Sequence, residues 1–199
     1  PDQQHTVGQS VNLTLTATTD ELASVLAHEL SHVTQRHIAR SVASSSRQNL
    51  VGLAALLLGV IAASRSGNAD VAQATIAGSQ ALMIQGQLNF SRDMEREADR
   101  VGYGIFSDAG FAPAGMAAMF DKMDSASRLN DSGGFPYLRT HPLTVERLAE
   151  ARARLPLGTS TDGARSAMHE LMRARASVLM EPTVQALRRH VDQGAGAAG

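Results

Sequence analysis

The chain has 199 residues, a formal net charge of −1 and a charged fraction of 19%. This length is enough for one compact domain with a real core, and the charge balance does not indicate a nucleic acid or a strongly acidic partner. Cysteine is absent, which excludes disulfides and cysteine-based zinc sites and fits a bacterial envelope protein. Aromatic residues make up only 4% of the chain, which argues against base-stacking surfaces and an all-β sandwich.

The N-terminal part predicts a short strand followed by a long helix. Residues 11–16 alternate apolar and polar side chains, which is a strand signal. Thr18 and Glu21 then form a capping box, after which apolar residues recur at helical spacing. We therefore predict a helix over residues 20–44, ending near the serine cluster at 44–46.

The interior of this predicted helix carries the motif His28-Glu29-Leu30-Ser31-His32. Residues four apart lie on one face of a helix, roughly 6 Å from each other, so both imidazoles can reach one small cation. Neutral imidazole is a natural zinc ligand. Glu29 lies beside the first histidine, where its carboxylate can reach a water at the metal without binding the metal itself. Two ligands do not complete a catalytic site, so a third must come from elsewhere.

An unbroken run of apolar residues and glycine follows at 50–63. As a helix it covers about 21 Å, which is short of the roughly 30 Å of a bilayer core. The leading interpretation is a buried core helix, and an interfacial or re-entrant membrane contact is the alternative. Residues 71–88 are rich in Ala and Gln and favour a helix, so that 50–88 could form a helical hairpin.

The rest of the chain reads as helices separated by turns. Ser91 is a plausible N-cap and Gly110 a plausible stop for the next helix. Methionines and a phenylalanine at helical spacing indicate a core-facing helix at 113–127, with Met116, Met119, Phe120 and Met123 inward. The complete set predicted after residue 90 is a helix over 92–107, a helix over 113–127, a loop over 128–140, a helix over 142–155, one or two helices over 164–193 interrupted at Pro182, and a flexible tail over 194–199.

Two carboxylates on the predicted 92–107 helix are candidates for completing the site. Glu95 and Asp99 are four residues apart and share a face, so Glu95 could bind the metal while Asp99 accepts a hydrogen bond from a ligand histidine. Glu97 is an equally good third ligand on sequence grounds. A solvated acidic face paired with neighbouring arginines is a further alternative.

Three motifs in this order resemble those of the HtpX and BepA type of zinc metallopeptidases, the group that also includes the CAAX prenyl protease. They are H-E-x-x-H at 28–32, Ser91-Arg-x-x-Glu95-x-x-Ala98-Asp99, and Thr140-His141-Pro142 with Arg147 beyond. The resemblance covers roughly residues 10–155 and looks closest to the periplasmic BepA branch. It implies a predominantly α fold of the α+β zincin-like type, a helical metallopeptidase core with at most a small N-terminal β element.

The resemblance also implies a role for each motif residue. His28, His32 and Glu95 correspond to the ligands of one Zn²⁺, Glu29 to the catalytic base, and Asp99 to a residue that supports the site. His141 matches a histidine that can occupy the open metal position and restrain activity. Arg147 matches an arginine that could stabilise an oxyanion or anchor the loop, and its alternative is a surface ion pair with Glu146 or Glu150.

The resulting hypothesis is a zinc-dependent endopeptidase of the bacterial envelope that acts in protein quality control on protein or peptide substrates such as misfolded envelope proteins. It would lie in the periplasm or elsewhere in the bacterial cell envelope, and residues 50–63 are a candidate contact with a membrane surface. The alternative function is a chaperone-like or scaffolding module with a latent zinc site. We expect a peptidase domain at 1–158, truncated at its substrate-pairing edge, and a helical extension at 159–199 that could begin a tetratricopeptide array.

The other histidines have weaker patterns. His37 lies five residues after His32, half a turn from the ligand face, and is predicted to be a structural hydrogen-bonding group. His5, His169 and His190 have no partner pattern and are predicted to lie on the surface.

Overall fold

The computed structural model describes residues 13–66, 69–129, 136–155, 159, 163 and 165–196. The fold is predominantly helical, as predicted. Residues 13–15 are helical, and the helices that follow them are α1 (Thr19–Thr34), α2 (His37–Ser66), α3 (Ala69–Asp108), α4 (Ala114–Leu129), α5 (Pro136–Thr140), α6 (Val145–Ala153), α7 (Ala167–Met180) and α8 (Val184–Gly196).

The predicted strand at 11–16 is wrong where the structure describes it. Residues 13–15 are helical and residue 16 belongs to neither a helix nor a strand. Residues 11 and 12 lie outside the described ranges. A single strand needs a partner to form a sheet, and the described residues contain no strand that could pair with it. Six alternating residues were too short a signal to separate the two states.

The contacts divide the chain into two compact units. Unit 1 comprises Pro1–His28 and Val101–Gly199, and unit 2 comprises Glu29–Arg100. The division passes through α1 and α3, so each of these helices contributes residues to both units. The predicted boundary near residue 158 stays a prediction.

Unit 1 contains a methionine-rich core between α1, α4 and α6. The predicted inward residues of α4 are all buried, and they pack with Val25 of α1, Tyr137 of α5, and Leu148 and Ala151 of α6. This confirms the interpretation of the methionines as core residues. The predicted helix at 113–127 is also confirmed, within two residues at its C-terminal end.

The start of α1 is held by the predicted pair Thr18 and Glu21, although the Glu21 carboxylate reaches the N–H of Ala17 rather than that of Thr18. The backbone N–H of Glu21 donates to Oγ1 of Thr18 at 3.2 Å, and a carboxylate oxygen of Glu21 accepts from the N–H of Ala17 at 2.6 Å. The same carboxylate accepts from Nζ of Lys122 on α4 at 2.6 Å. The N-terminus of the motif helix is therefore fixed both locally and to α4.

The predicted helix over 20–44 is interrupted. Helix α1 ends at Thr34, Arg36 has a positive φ of 53°, and α2 begins at His37. A residue in the left-handed region ends a helix because the next turn cannot continue along the same axis. The serine cluster at 44–46, predicted to be the helix end, lies inside α2.

Helices α2 and α3 form the predicted hairpin within unit 2. A side chain at Gly52 would overlap Met83, and one at Gly59 would overlap Thr75, so both glycines are sites of close helix approach. The predicted start of a new helix at Ser91 is wrong, because α3 runs without a break from Ala69 to Asp108. The part of α3 before Ser91 contains no proline, and its many Ala and Gln residues favour a helix.

The apolar run of α2 is exposed, so the interpretation as a buried core helix is wrong. Seven of its large apolar residues are each at least half exposed, while Leu56 is partly buried; the seven are Leu50, Val51, Leu53, Leu57, Leu58, Val60 and Ile61. The buried positions of this run are Gly52 and Gly59, where the two helices of the hairpin approach closely. Within the described ranges, no helix has the length and apolar character needed to cross a membrane.

The C-terminal elements agree with most of the sequence pattern. Part of the predicted loop at 128–140 is the short helix α5, and residues 130–135 lie outside the described ranges. The predicted helix at 142–155 begins later, at Val145, where Thr144 is its N-cap. Two helices, α7 and α8, flank Pro182 as predicted. Residues 194–196 of the predicted tail belong to α8, and 197–199 lie outside the described ranges.

Candidate metal centre

Helix α1 carries both motif histidines, His28 in its interior and His32 in its last turn, because the helix ends earlier than predicted. His28 is almost fully buried, whereas His32 and Glu29 are partly exposed. A close helix contact supports this turn, since a Cβ added at Gly102 of α3 would lie 3.1 Å from the backbone of Ala27 and His28. The first histidine is therefore held on a backbone that has little room to shift.

In unit 2, Glu95 lies beside the second motif histidine. Oε1 of Glu95 is 3.4 Å from Nε2 of His32, and the Glu95 side chain is 4% exposed. Charge-assisted hydrogen bonds are shorter, about 2.7–2.9 Å. Two ligand atoms that are each about 2.1 Å from a tetrahedral zinc ion lie about 3.4 Å apart. The separation of these two atoms thus fits a shared zinc ion.

Glu97, the alternative third ligand, is engaged elsewhere. Its carboxylate accepts a hydrogen bond from Arg40 at 2.7 Å and lies 3.4 Å from Nε2 of His37. The Arg40 hydrogen bond, aided by the charges of Arg40 and His37, lowers the pKa of Glu97. These contacts favour Glu95 over Glu97 as the ligand, a choice that spacing alone left open.

Asp99 lies one helical turn beyond Glu95 on α3 and is buried. A buried carboxylate requires partners that compensate for its lost hydration. Its predicted role, supporting a ligand histidine, remains a prediction.

In unit 1, His141 lies beside the first motif histidine. The rings of His28 and His141 meet edge to face with centroids 5.4 Å apart, and a potential ligand atom of each lies within 4.8 Å of the other. Tyr137 holds His141 in two ways: its ring stacks on the imidazole at 4.6 Å, and its carbonyl accepts from the His141 N–H at 2.9 Å. His141 is therefore close enough to His28 to share a metal with it.

Arg147 is buried rather than on the surface. Its guanidinium donates to the carbonyl of Pro142 at 2.7 Å and lies over the ring of Phe120, 5.3 Å from the centroid. Pro142 directly follows His141. These contacts support the interpretation that Arg147 anchors this loop.

Two further histidines have specific partners. Nδ1 of His37 is 2.9 Å from Nδ1 of His32, which confirms its predicted hydrogen-bonding character. His169 is buried and its Nε2 is 2.8 Å from Oγ1 of Thr16, so its predicted surface position is wrong. Residue 5 and the side chain of His190 lie outside what the structure describes.

Sequence reasoning missed the partners of both histidines. The His37 contact depends on the break at Arg36, for which the sequence carries no glycine or proline signal. The His169 contact joins residues 153 positions apart, which no local pattern can reveal.

The donor chemistry of the site suits zinc. Imidazole nitrogens and one carboxylate are the ligands of catalytic zinc sites that contain no cysteine. The chain offers these donors in two pairs, His32 with Glu95 and His28 with His141, and its first helix joins the pairs through two histidines one turn apart.

Comparison with known proteins identifies similar sequences. Residues 3–155 match the family described as Peptidase family M48. The chain is 39% identical over 134 residues to the beta-barrel assembly-enhancing protease of Escherichia coli strain K12, and 40% identical over 137 residues to the protein of that name from Yersinia pestis. Each alignment covers 67% of this chain and 27% of the relative, so the chain spans about a quarter of their length. It is also 30% identical over 146 residues to the metalloprotease LoiP of Escherichia coli strain K12, covering 73% of this chain and 52% of that relative.

Proposed function

Because this chain belongs to peptidase family M48, a family of metallopeptidases, we propose that it forms the catalytic domain of a zinc-dependent endopeptidase of the bacterial envelope. His28, His32 and Glu95 are the proposed zinc ligands. The observation that carries the proposal is the 3.4 Å separation of His32 Nε2 and Glu95 Oε1, next to a second histidine one helical turn away. That separation is too long for a strong hydrogen bond and suits two ligands of one ion.

When bound, zinc lowers the pKa of a coordinated water and polarises the substrate carbonyl. Glu29 is the proposed general base. It is partly exposed on the same helix turn as the ligands, where it can accept a proton from the attacking water. The same carboxyl group then donates this proton to the leaving amine, so that one residue serves both halves of peptide-bond hydrolysis.

His141 is proposed to restrain the enzyme. Its ring, held against Tyr137, lies next to His28 and carries a nitrogen that can act as a ligand. A histidine at the open metal position would exclude water from it. Arg147 would keep the following loop in place through the Pro142 carbonyl.

The names of the relatives suggest the biological setting. Two of them are called beta-barrel assembly-enhancing proteases, and a third is called a metalloprotease. We extend this to protein quality control in the envelope, with protein or peptide substrates such as misfolded envelope proteins. The absence of cysteine is compatible with that compartment. Association of the exposed α2–α3 hairpin with a membrane surface is part of the same proposal.

The first test replaces the proposed base. Glu29→Gln keeps the size of the side chain but removes the proton acceptor, so zinc content should stay at one ion per chain while peptidase activity falls at least about 10²-fold. Metal analysis and cleavage of an unfolded protein substrate measure the two effects. Arg96→Gln, at an exposed position of α3, is the matched control. Full cleavage by a zinc-loaded Glu29→Gln protein would refute the assignment.

The second test separates a restrained enzyme from a scaffolding module with a latent zinc site. His141→Ala removes the ring beside His28, so a restrained enzyme should become several-fold more active while its zinc content is kept. The scaffolding function is favoured if the wild type and His141→Ala both bind zinc and neither cleaves protein. Cleavage by both proteins at equal rates would contradict the restraint while leaving the peptidase assignment intact.

A further inference from the structure

His37 lies at the end of a chain of polar contacts that begins at the proposed zinc ligand His32. Nδ1 of His37 is 2.9 Å from Nδ1 of His32, and the two rings meet edge to face with centroids 4.7 Å apart. On its other side, Nε2 of His37 lies 3.4 Å from Oε2 of Glu97. Arg40 donates to the same oxygen at 2.7 Å.

This contact exists because the first helix breaks. In a continuous helix, residues five apart point about 140° away from each other, so His37 would face away from His32. The positive φ of Arg36 turns the chain before α2 begins and directs His37 back towards the motif. His37 is 2% exposed, so its ring is held in place by the protein atoms packed around it.

The protons of the two rings can be assigned from the ligand geometry. Nε2 of His32 faces Glu95, so it is the nitrogen that binds zinc under the proposed function. A neutral imidazole bound to a metal through Nε2 keeps its proton on Nδ1. That N–H must donate to Nδ1 of His37, and His37 then carries its own proton on Nε2, which faces the Glu97 carboxylate. The His32–His37 pair then places a proton opposite an acceptor at 2.9 Å, whereas Nε2 of His37 makes a longer electrostatic contact of 3.4 Å with the Glu97 carboxylate rather than a hydrogen bond.

We propose that His37 is a positioning residue for the zinc site, which fixes the tautomer and ring orientation of His32 and is itself oriented by Glu97 and Arg40. The inference rests on the proposed function, because it assigns a role relative to a zinc ligand. Partners that accept the second N–H of a ligand histidine usually raise metal affinity 10–100-fold. Here that partner is a second histidine, and a carboxylate paired with an arginine completes the chain of contacts.

The first experiment compares two substitutions of His37 by the zinc affinity of the full chain, measured by competition with a chelating indicator. His37→Leu fills similar space but offers no acceptor, and it should weaken zinc binding about 10–100-fold. His37→Asn places an amide oxygen near the position of Nδ1 and should retain most of the affinity, within about threefold. Ile38→Asn, at the neighbouring and 80% exposed position, is the control and should leave affinity unchanged.

The outcomes separate this inference from the proposed function. A wild-type chain that binds no zinc contradicts the proposed function itself. A zinc-binding wild type with undiminished affinity in His37→Leu contradicts only the role of His37. Equal weakening in His37→Leu and His37→Asn would also overturn it, since a residue needed only for packing would give no rescue by an acceptor.

A second measurement needs no variant and so does not depend on His37→Leu folding. Imidazole ¹⁵N–¹H spectra of the zinc-loaded wild type report which ring nitrogens carry protons. We expect His32 to be protonated on Nδ1 and His37 on Nε2. A proton on Nδ1 of His37 would refute the inference, because that nitrogen could then not accept from His32.

Discussion

At the scale of single residues, the buried surroundings of His169 disfavour the doubly protonated, charged form of its imidazole. Oγ1 of Thr16 donates to the carbonyl of Leu13 at 2.9 Å and so accepts from Nε2 of His169 at 2.8 Å. Within the described ranges, the buried Nδ1 of His169 has no hydrogen-bond partner. A second proton would have to be placed on that nitrogen, where nothing in those ranges accepts it.

This environment predicts a pH dependence of stability. Burial, followed by the charge of Arg173, lowers the pKa of His169 below its ordinary value of 6.5. Between the lowered pKa and 6.5 the unfolded chain binds more protons than the folded chain. The contribution of His169 to the free energy of unfolding is therefore complete above pH 6.5 and declines as the pH falls through that window, by at most about 1.4 kcal/mol per pH unit.

His169→Gln tests this contribution, because glutamine can donate to Thr16 but does not titrate. Urea unfolding between pH 5 and pH 7.5 should show a shallower loss of stability for the variant than for the wild type. Parallel curves for the two proteins would mean that His169 has the same pKa in the folded and unfolded chains.

At the scale of elements, two glycines on α3 differ in what surrounds them. A Cβ at Gly102 would lie 3.1 Å from the backbone of Ala27 and His28, whereas a Cβ at Gly104 would meet nothing within 4 Å. Backbone atoms cannot move aside as a flexible side chain can. Gly102 is thus required for the approach of α3 to the first motif histidine, and Gly104 is not.

Alanine substitutions at these two positions should have opposite effects on the free energy of unfolding. Gly102→Ala should lower it by about 1–3 kcal/mol through overpacking. Gly104→Ala should raise it by about 0.5–1 kcal/mol, because alanine costs less backbone entropy in a helix. Urea unfolding measures both, and equal stability of the two variants would contradict the close-approach argument.

A helix could be predicted from the sequence where the residues that determine it are close together in the chain. The core face of α4 and the cap at Thr18 depend on residues within a few turns, so spacing alone predicted them. The break at Arg36 was not predictable, because arginine favours helices and the left-handed turn has no glycine or proline to mark it. Helix α3 likewise continues through Ser91, because a residue suited to an N-cap need not act as one.

The candidate site was predictable to a similar degree. His28 and His32 could be predicted to share a metal ion because their four-residue spacing within one helix is visible in the sequence. The choice between Glu95 and Glu97 depends on their contacts with α1 and α2, which are distant in sequence. The family resemblance favours Glu95, and so do the contacts of the two carboxylates.

At the scale of the whole molecule, the α2–α3 hairpin has an unusual surface for an exposed element. The sequence has no charged residue between Arg47 and Arg65 on α2, or between Asp70 and Arg92 on α3. Large apolar residues are exposed on both helices, including Leu57 and Leu58 on α2 and, on α3, Ile76, Leu82, Ile84 and Leu88. Such contiguous apolar surface marks an interaction site. Each uncharged segment spans about 25–30 Å of helix, long enough for extensive contact with a flat surface.

We predict that this hairpin partitions into the surface of phospholipid vesicles. The double substitution Leu57→Gln with Leu58→Gln should reduce vesicle binding of the full chain at least about tenfold, since burying each leucine contributes about 1.5–3 kcal/mol. The matched control is Leu171→Gln with Leu179→Gln on α7, where the leucines are 66% and 68% exposed, against 57% and 68% for the hairpin pair. Co-sedimentation with vesicles of zwitterionic lipid, with and without anionic lipid, measures the loss.

Equal binding of the two double variants would show that general surface hydrophobicity, and not the hairpin, drives association. Binding that requires anionic lipid would instead implicate charges outside the uncharged segments, since those segments offer no cation to attract the lipid headgroups.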